Sequence, residues 1–278
     1  MARIVGGIGI SHTPSMGMEY DKGMAQGAFA PHWQPWFDGT RPVKRWLADL
    51  KPDRIVVVYN DHLNQFTFDA YPTFAIGVAA EFPQADEGWG LRPLPNLTGD
   101  IDFGWAITNA LVRDEFDLTV CQSLEVDHGI YSWFPYLFDA PWPPVLPLAV
   151  NMLRTPVPTS QRLWKLGAAL RRAIEAYPSD ARVLVVATGG MSHQIVGQRF
   201  GMANEDLDRF FLANLRERAE ELVAIPQEEL QRLGGTEAAE LCIWFAMRNA
   251  LGARPREVYT YYTFPKITGC GVIAFEEV

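Results

Sequence analysis

Several things are scarce in this chain, and each scarcity closes off a class of protein. Cysteine occurs three times, at Cys121, Cys242 and Cys270, far apart and without CxxC spacing. That argues against a disulfide framework and for a reducing, cytoplasmic setting. Basic residues are outnumbered, 24 Lys and Arg against 33 Asp and Glu for a net charge of −9, and no basic stripe offers a track for phosphates, which excludes a nucleic-acid partner. Long apolar runs are missing: no window approaches the roughly 18 residues of a membrane span. The apolar stretch at 4–10 is short, Gly-rich and without a cleavage pattern, so it reads as a strand rather than a signal peptide. Neither a Gly-x-Ser-x-Gly elbow nor a His-Glu-x-x-His helix is present, and Gly6, Gly7 and Gly9 lack dinucleotide-fingerprint spacing.

What is present is an ordinary globular composition, 48% apolar and 21% charged over 278 residues, enough to bury a large core. Short β-branched runs at 3–10, 54–59, 118–122, 145–150, 182–187 and 271–275 read as strands. The run Ile55-Val56-Val57-Val58-Tyr59 has no polar alternation, as expected of a strand covered on both faces. Helical spacing appears at 42–50, 101–112, 160–176, 205–223 and 236–251, with Asn204 or Asp206 capping the fourth and Thr236 the fifth. The alternation predicts an α/β fold, a central mixed sheet flanked by helices, in a single domain spanning 1–278. Segments 13–40 and 63–100, rich in Gly, Pro and aromatics, are left as long loops of the lid or pocket-wall kind, and Trp33, Trp36 and Trp89 are candidates for walling a flat ligand.

Histidine is also rare, with five in the chain, and four of them follow strand-like runs: His12, His62, His128 and His193. Open α/β sheets place their ligands at the carboxyl ends of strands. A single histidine there is more often a hydrogen-bonded loop residue than a ligand. Glu240 adds a carboxylate early in the last helix, just before the apolar stretch Leu241 to Met247. The bland reading makes Glu237 and Glu240 first-turn acids favoured by the helix dipole; a carboxylate entering an apolar core, however, needs a cation or many donors. Two imidazoles and one carboxylate on one face make the triad of non-haem Fe(II) oxygenases. His193 follows Gly189-Gly190, glycines that let backbone approach a ligand, and is placed to act as acid or base. Asp127, next to His128, is at most a weak orienting group for a neighbouring ring. His32 receives no role.

The motifs Ser11-His12-Thr13-Pro14, Tyr59-Asn60-Asp61-His62, Ala85-Asp86-Glu87-Gly88-Trp89-Gly90, Val126-Asp127-His128-Gly129, Thr188-Gly189-Gly190-Met191-Ser192-His193-Gln194 and Gly235-Thr236-Glu237-Ala238-Ala239-Glu240, in this order, resemble the class III extradiol ring-cleavage dioxygenases. The likeness is to the protocatechuate 4,5-dioxygenase β subunit and the gallate enzymes. It implies His12, His62 and Glu240 as ligands of Fe(II), His193 as general acid/base and His128 as a donor near the substrate, with Glu237 an acid that is not a ligand. Thr268, Asn60 and Lys266 are the candidate substrate contacts. Thr268 would stand where the protocatechuate branch has its carboxylate donors, and Lys266 is as readily a solvated side chain. The implied reaction is extradiol cleavage, by O2, of a carboxylated catechol such as protocatechuate or gallate, to a muconate semialdehyde or oxalomesaconate-type product. A separate small α subunit and a homo- or hetero-oligomer are the implied partners. Two rivals stand beside this reading: a non-catalytic member of the same fold that binds a small ligand or phosphopeptide, and a zinc hydrolase on the same scaffold.

Overall fold

The computed structural model describes residues 1–277, so that Val278, the last residue of the expected domain, lies outside the described residues. Eight strands form one mixed sheet: β1 (Arg3–Ile10), β2 (Arg54–Tyr59), β3 (Phe74–Gly77), β6 (Thr119–Cys121), β7 (Val145–Val150), β8 (Arg182–Thr188), β9 (Arg256–Thr263) and β10 (Cys270–Glu276). A separate two-stranded ribbon joins β4 (Glu81–Phe82) to β5 (Leu97–Thr98). The order across the large sheet is β6-β3-β7-β2-β8-β1-β10-β9. Its centre, β7-β2-β8-β1, is parallel, while β10 and β9 run antiparallel beyond β1. Four parallel strands therefore end on the same edge, and the segments after β1, β2 and β8 carry His12, His62 and His193.

The run 55–59 shows why the centre is so apolar. Val56 and Val58 enter one core layer, and Ile55, Val57 and Tyr59 enter the opposite one, all fully buried. Helices Ser160–Ala176 and Trp244–Ala250 pack on the first layer, and helix Gln34–Leu50 supplies Trp36, Phe37, Val43 and Leu47 to the second. The glycines of β1 serve this packing. A Cβ at Gly9 would run into the Trp244 ring, and one at Gly7 into Met247, so the strand gives up side chains to let a helix lie close.

Several expectations are corrected. Residues 14–26 form a helix, Pro14–Gln26, capped by Thr13, whose side chain accepts from the Met16 amide at 3.1 Å. The next helix begins at Gln34, before the expected 42–50, and carries Pro42 inside it. Trp36 is consequently core and not a pocket wall. The stretch 205–223 breaks into Glu205–Asn214, capped by Asn204, and Ala219–Val223. The stretch 236–251 begins as a 3-10 helix, Thr236–Ile243, before turning α-helical at Trp244, and Thr236 makes no cap. Strands β3 and β9 had not been read from the sequence: β3 is only four residues long, and β9 (REVYTYYT) is a largely exposed or half-buried edge strand that mixes polar and aromatic residues. Among the described residues no helix is long and apolar enough to cross a membrane.

Candidate metal centre

The register of the sheet assembles the site. Ile10 of β1 pairs with Thr188 of β8, so the chain leaving β1 delivers His12 beside the Thr188 hydroxyl, 2.9 Å from the ring Nδ1. The chain leaving β2 delivers His62, whose Nδ1–H donates to Asp127 Oδ2 at 2.9 Å, and whose backbone amide donates to the same oxygen at 2.6 Å. A carboxylate only accepts, so His62 carries a proton on Nδ1, and Nε2 is the nitrogen it turns toward the other two side chains. That Nε2 lies 3.2 Å from His12 Nε2.

Glu240 closes the triangle. Its Oε1 is 3.4 Å from His62 Nε2 and its Oε2 is 3.6 Å from His12 Nε2. The carboxylate is buried and held from behind by two donors, Asn60 Nδ2 on Oε1 at 3.1 Å and the Gly190 amide on Oε2 at 2.7 Å. Gly189, at φ 143°, allows this approach; a Cβ there would lie 2.8 Å from Glu240 Cβ. The paired glycines thus admit Glu240 itself rather than an external ligand.

The donor set suits a divalent cation. Donors about 2.1 Å from one ion and roughly 90–110° apart are separated by about 3.0–3.4 Å; two of the three separations here, 3.2 and 3.4 Å, fall in that range and the third, 3.6 Å, lies just beyond it. Two imidazole nitrogens facing each other beside a carboxylate need either a shared proton or a cation between them. Burial above all pulls His12 down to about 3, against the attraction of Glu240. Burial opposes charge on Glu240 too, yet the facing His12 and His62 rings hold its carboxyl well below the usual range. Burial opposes charge on His62 as well, but the Asp127 and Glu240 carboxylates hold its imidazole well above the usual range, so a cation entering between the rings displaces a proton from His62 while Glu240 is already ionised.

Around this triangle lies a cavity of about 450 Å³ lined by the three side chains and by His128, His193, Trp33, Trp89, Leu153, Ile195, Glu237, Lys266 and Thr268, among others. His193 is buried, and its Nδ1–H donates to the Met191 carbonyl at 3.1 Å, which leaves Nε2 as the free nitrogen. His128 lies against His62, ring centroids 4.0 Å apart, and brings a third imidazole within 4.8 Å of the His12 and His62 nitrogens. Its own Nδ1 is engaged by Glu87 Oε1 at 2.5 Å, while Glu87 Oε2 accepts its backbone amide at 3.1 Å. Glu87, Asp127 and His128 also cluster, but the two carboxylates are occupied: Glu87 by His128, and Asp127 by His62, Gly129 and Asn64. That cluster orients rings and leaves few lone pairs for an ion.

Of the expected substrate contacts, Thr268 and Lys266 line the cavity and Asn60 does not. Asn60 is fully buried, donating to Glu240 and accepting from the Met152 amide at 3.1 Å, so it is a support for the carboxylate. Asp127, discounted in the sequence reading as a weak orienting group, makes two hydrogen bonds to His62. It adjoins His128 in the chain but orients His62, which is 65 residues away. Glu87, inside a quoted motif, had no role assigned. Asp127→Asn should weaken metal affinity about 10- to 100-fold, because an amide placed there offers a donor or a weaker acceptor to the His62 Nδ1–H. Metal titration of the purified variant checks it, and an unchanged affinity would show that His62 needs no such anchor.

The description "Catalytic LigB subunit of aromatic ring-opening dioxygenase" belongs to a family model that matches residues 6–272. A gallate dioxygenase of Pseudomonas putida (strain KT2440) is 40% identical over 195 residues, 69% of this chain and 57% of that protein. A 2,3-dihydroxyphenylpropionate/2,3-dihydroxicinnamic acid 1,2-dioxygenase of Rhodococcus sp is 32% identical over 165 residues, 59% of this chain and 51% of that protein. The chain spans about half the length of the curated relatives it matches. In fold it is similar to the crystal structure of uncharacterized protein JW3007 from Escherichia coli K12, with TM-score 0.56 at 12% identity, covering 97% of this chain and 99% of that one. With the motif order, the sheet and the family model in agreement over almost all of its length, the chain belongs to the LigB family of catalytic subunits of aromatic ring-opening dioxygenases.

Proposed function

We propose that this chain catalyses Fe(II)- and O2-dependent extradiol cleavage of a catechol that carries a carboxylate. The observation that carries the reading is the meeting of His12, His62 and Glu240 at the floor of a cavity that also presents two further imidazoles. A ferrous ion held by those three would supply Lewis acidity toward a vicinal diol and the electronic coupling that lets the ring react with O2. The rest is done by the chain's own residues.

His193 Nε2, free and lining the cavity, takes the second phenolic proton and returns it as the ring opens, its orientation kept by the Met191 carbonyl. His128, fixed by Glu87, offers Nε2 beside the same space and orients a substrate oxygen. Trp33, Leu153, Ile195 and Ile267 give a ring an apolar wall and keep water from the diol. Thr268 is the hydrogen-bond donor for the carboxylate. Lys266 is the only Lys or Arg among the described residues lining the cavity, and its charge lies on the same loop.

The test is oxygen uptake and ring-cleavage absorbance with a panel of catechols, using protein loaded anaerobically with Fe(II). Oxygen consumption restricted to iron-loaded protein and vicinal diols is the expected result. Catechol binding without oxygen uptake would favour a binding protein, and anaerobic turnover of an ester or amide a hydrolase. Within that panel, Lys266→Ala should raise KM about two- to fivefold for carboxylated catechols, the scale of one exposed ion pair, and leave unsubstituted catechol unaffected. Equal effects on both would remove Lys266 from carboxylate recognition.

A further inference from the structure

We infer that Asp208 is a positioning residue that locks the two loops on which His193 and Thr268 ride. The assignment of work to those two loops rests on the function proposed above; the clamp itself rests on geometry. Asp208 lies in helix Glu205–Asn214, outside the cavity, and is fully buried. A buried carboxylate without a Lys or Arg partner is costly unless donors surround it. Here all its partners are neutral. Oδ1 accepts the Ser192 amide at 2.9 Å; Oδ2 accepts the Ser192 hydroxyl at 2.7 Å and the Tyr262 hydroxyl at 2.9 Å.

Ser192 sits between the residue that holds the His193 ring and His193 itself. Met191 O accepts from His193 Nδ1, and Asp208 grips both the amide and the side chain of the next residue. The Ser192 hydroxyl oxygen also accepts the Asn204 amide at 2.7 Å, which connects the loop to the cap of the same helix. On the other side is the Thr268 loop. The Gly269 amide donates to Ser192 O at 3.1 Å, and Gly269 O accepts the Met191 amide at 2.9 Å. A Cβ at position 269 would collide with Asp208 Oδ2, so the glycine is what lets this loop lie on the carboxylate. Two loops distant in sequence are thereby stapled to each other and to β9, through Tyr262. Burial, the largest influence, raises the Asp208 carboxyl to about 6 despite these donors, consistent with a dry joint rather than a solvated surface acid. The hydrogen bonds of the Asp208 carboxylate run to Ser192 and Tyr262, and to none of the three metal-facing side chains.

The variants that test it are Asp208→Asn and the milder Ser192→Ala and Tyr262→Phe, in the full chain. Asp208→Asn should speed deuterium uptake about tenfold in peptides covering 189–194 and 266–269, with 54–62 unchanged and iron stoichiometry kept. Ser192→Ala should lower kcat about tenfold with KM within about twofold, and Tyr262→Phe should raise KM about threefold or more with kcat nearly kept. Faster exchange spread across the whole sheet would make Asp208 a general stability residue and overturn the proposal. So would unchanged exchange in both loops, or kcat and KM moving together in every variant. The exchange pattern needs no turnover: absence of oxygen uptake by the unaltered, iron-loaded protein would sink the proposed function, and the clamp would still stand or fall on the two loops.

Discussion

Glu240→Gln is expected to empty the metal site, with bound iron falling more than about 100-fold in affinity and oxygen uptake with catechols lost to the same degree. The substitution keeps the side-chain volume, so the prediction isolates charge and hydrogen bonding. In the native chain the two carboxylate oxygens each face a donor, Asn60 Nδ2 on one and the Gly190 amide on the other. A glutamine must turn its NH2 toward one of them, leaving donor against donor in a buried place, at about 1–3 kcal/mol for the unsatisfied group. It also removes the one negative charge that offsets a divalent ion beside two neutral imidazoles. Metal analysis of protein reconstituted under argon, followed by oxygen-electrode measurements, decides the matter. Full iron occupancy with normal uptake would show that the ion is held without Glu240, with the three-imidazole group His12, His62 and His128 the next arrangement to test.

His193→Ala should behave in the opposite way. Iron occupancy should persist, because His193 makes no hydrogen bond to His12, His62 or Glu240 and its Nδ1 is committed to Met191 O. Turnover should fall by about 10²- to 10⁴-fold, the usual worth of a positioned acid or base. Anaerobic catechol binding should weaken far less than kcat, since the ring acts on a proton rather than on the fit of the substrate. Loss of iron in this variant would mean that His193 had been given the wrong role. Steady-state kinetics beside metal content separates these outcomes in one preparation.

How much of this was legible beforehand follows from the range of the interactions involved. The central strands were readable because 55–59 and 183–186 are buried on both sides, and a residue that is apolar on either face leaves an unbroken run. The helix at 14–26 was hidden by glycines at 17 and 23, which pack against Arg92 and Phe29 rather than breaking the turn. The 3-10 start at Thr236 was hidden because an i, i+3 spacing such as Glu237 and Glu240 is common to both helix types. His12, His62 and Glu240 stood out by type and by their position after strands or before an apolar stretch. The supports did not: Thr188, Asn60 and Asp127 behind those three, Glu87 behind His128 and Asp208 behind the His193 loop are polar residues of ordinary kinds, and nothing local in the chain says which group each will meet.

By itself, the order of residues determined apolar central strands covered on both faces, the places where those strands stop, and the rare side chains stationed there. It also carried a run of motifs specific enough to indicate the family. Tertiary structure alone decided the pairing of β1 with β8, which sets His12 on Thr188. It decided, too, the seating of Glu240 against Gly189 and Gly190, and the attachment of Asp127 to His62 instead of to its neighbour in sequence. The physical reason is that hydrophobic burial is encoded position by position, whereas a hydrogen bond between buried polar groups is encoded only by the distances that the packed sheet creates.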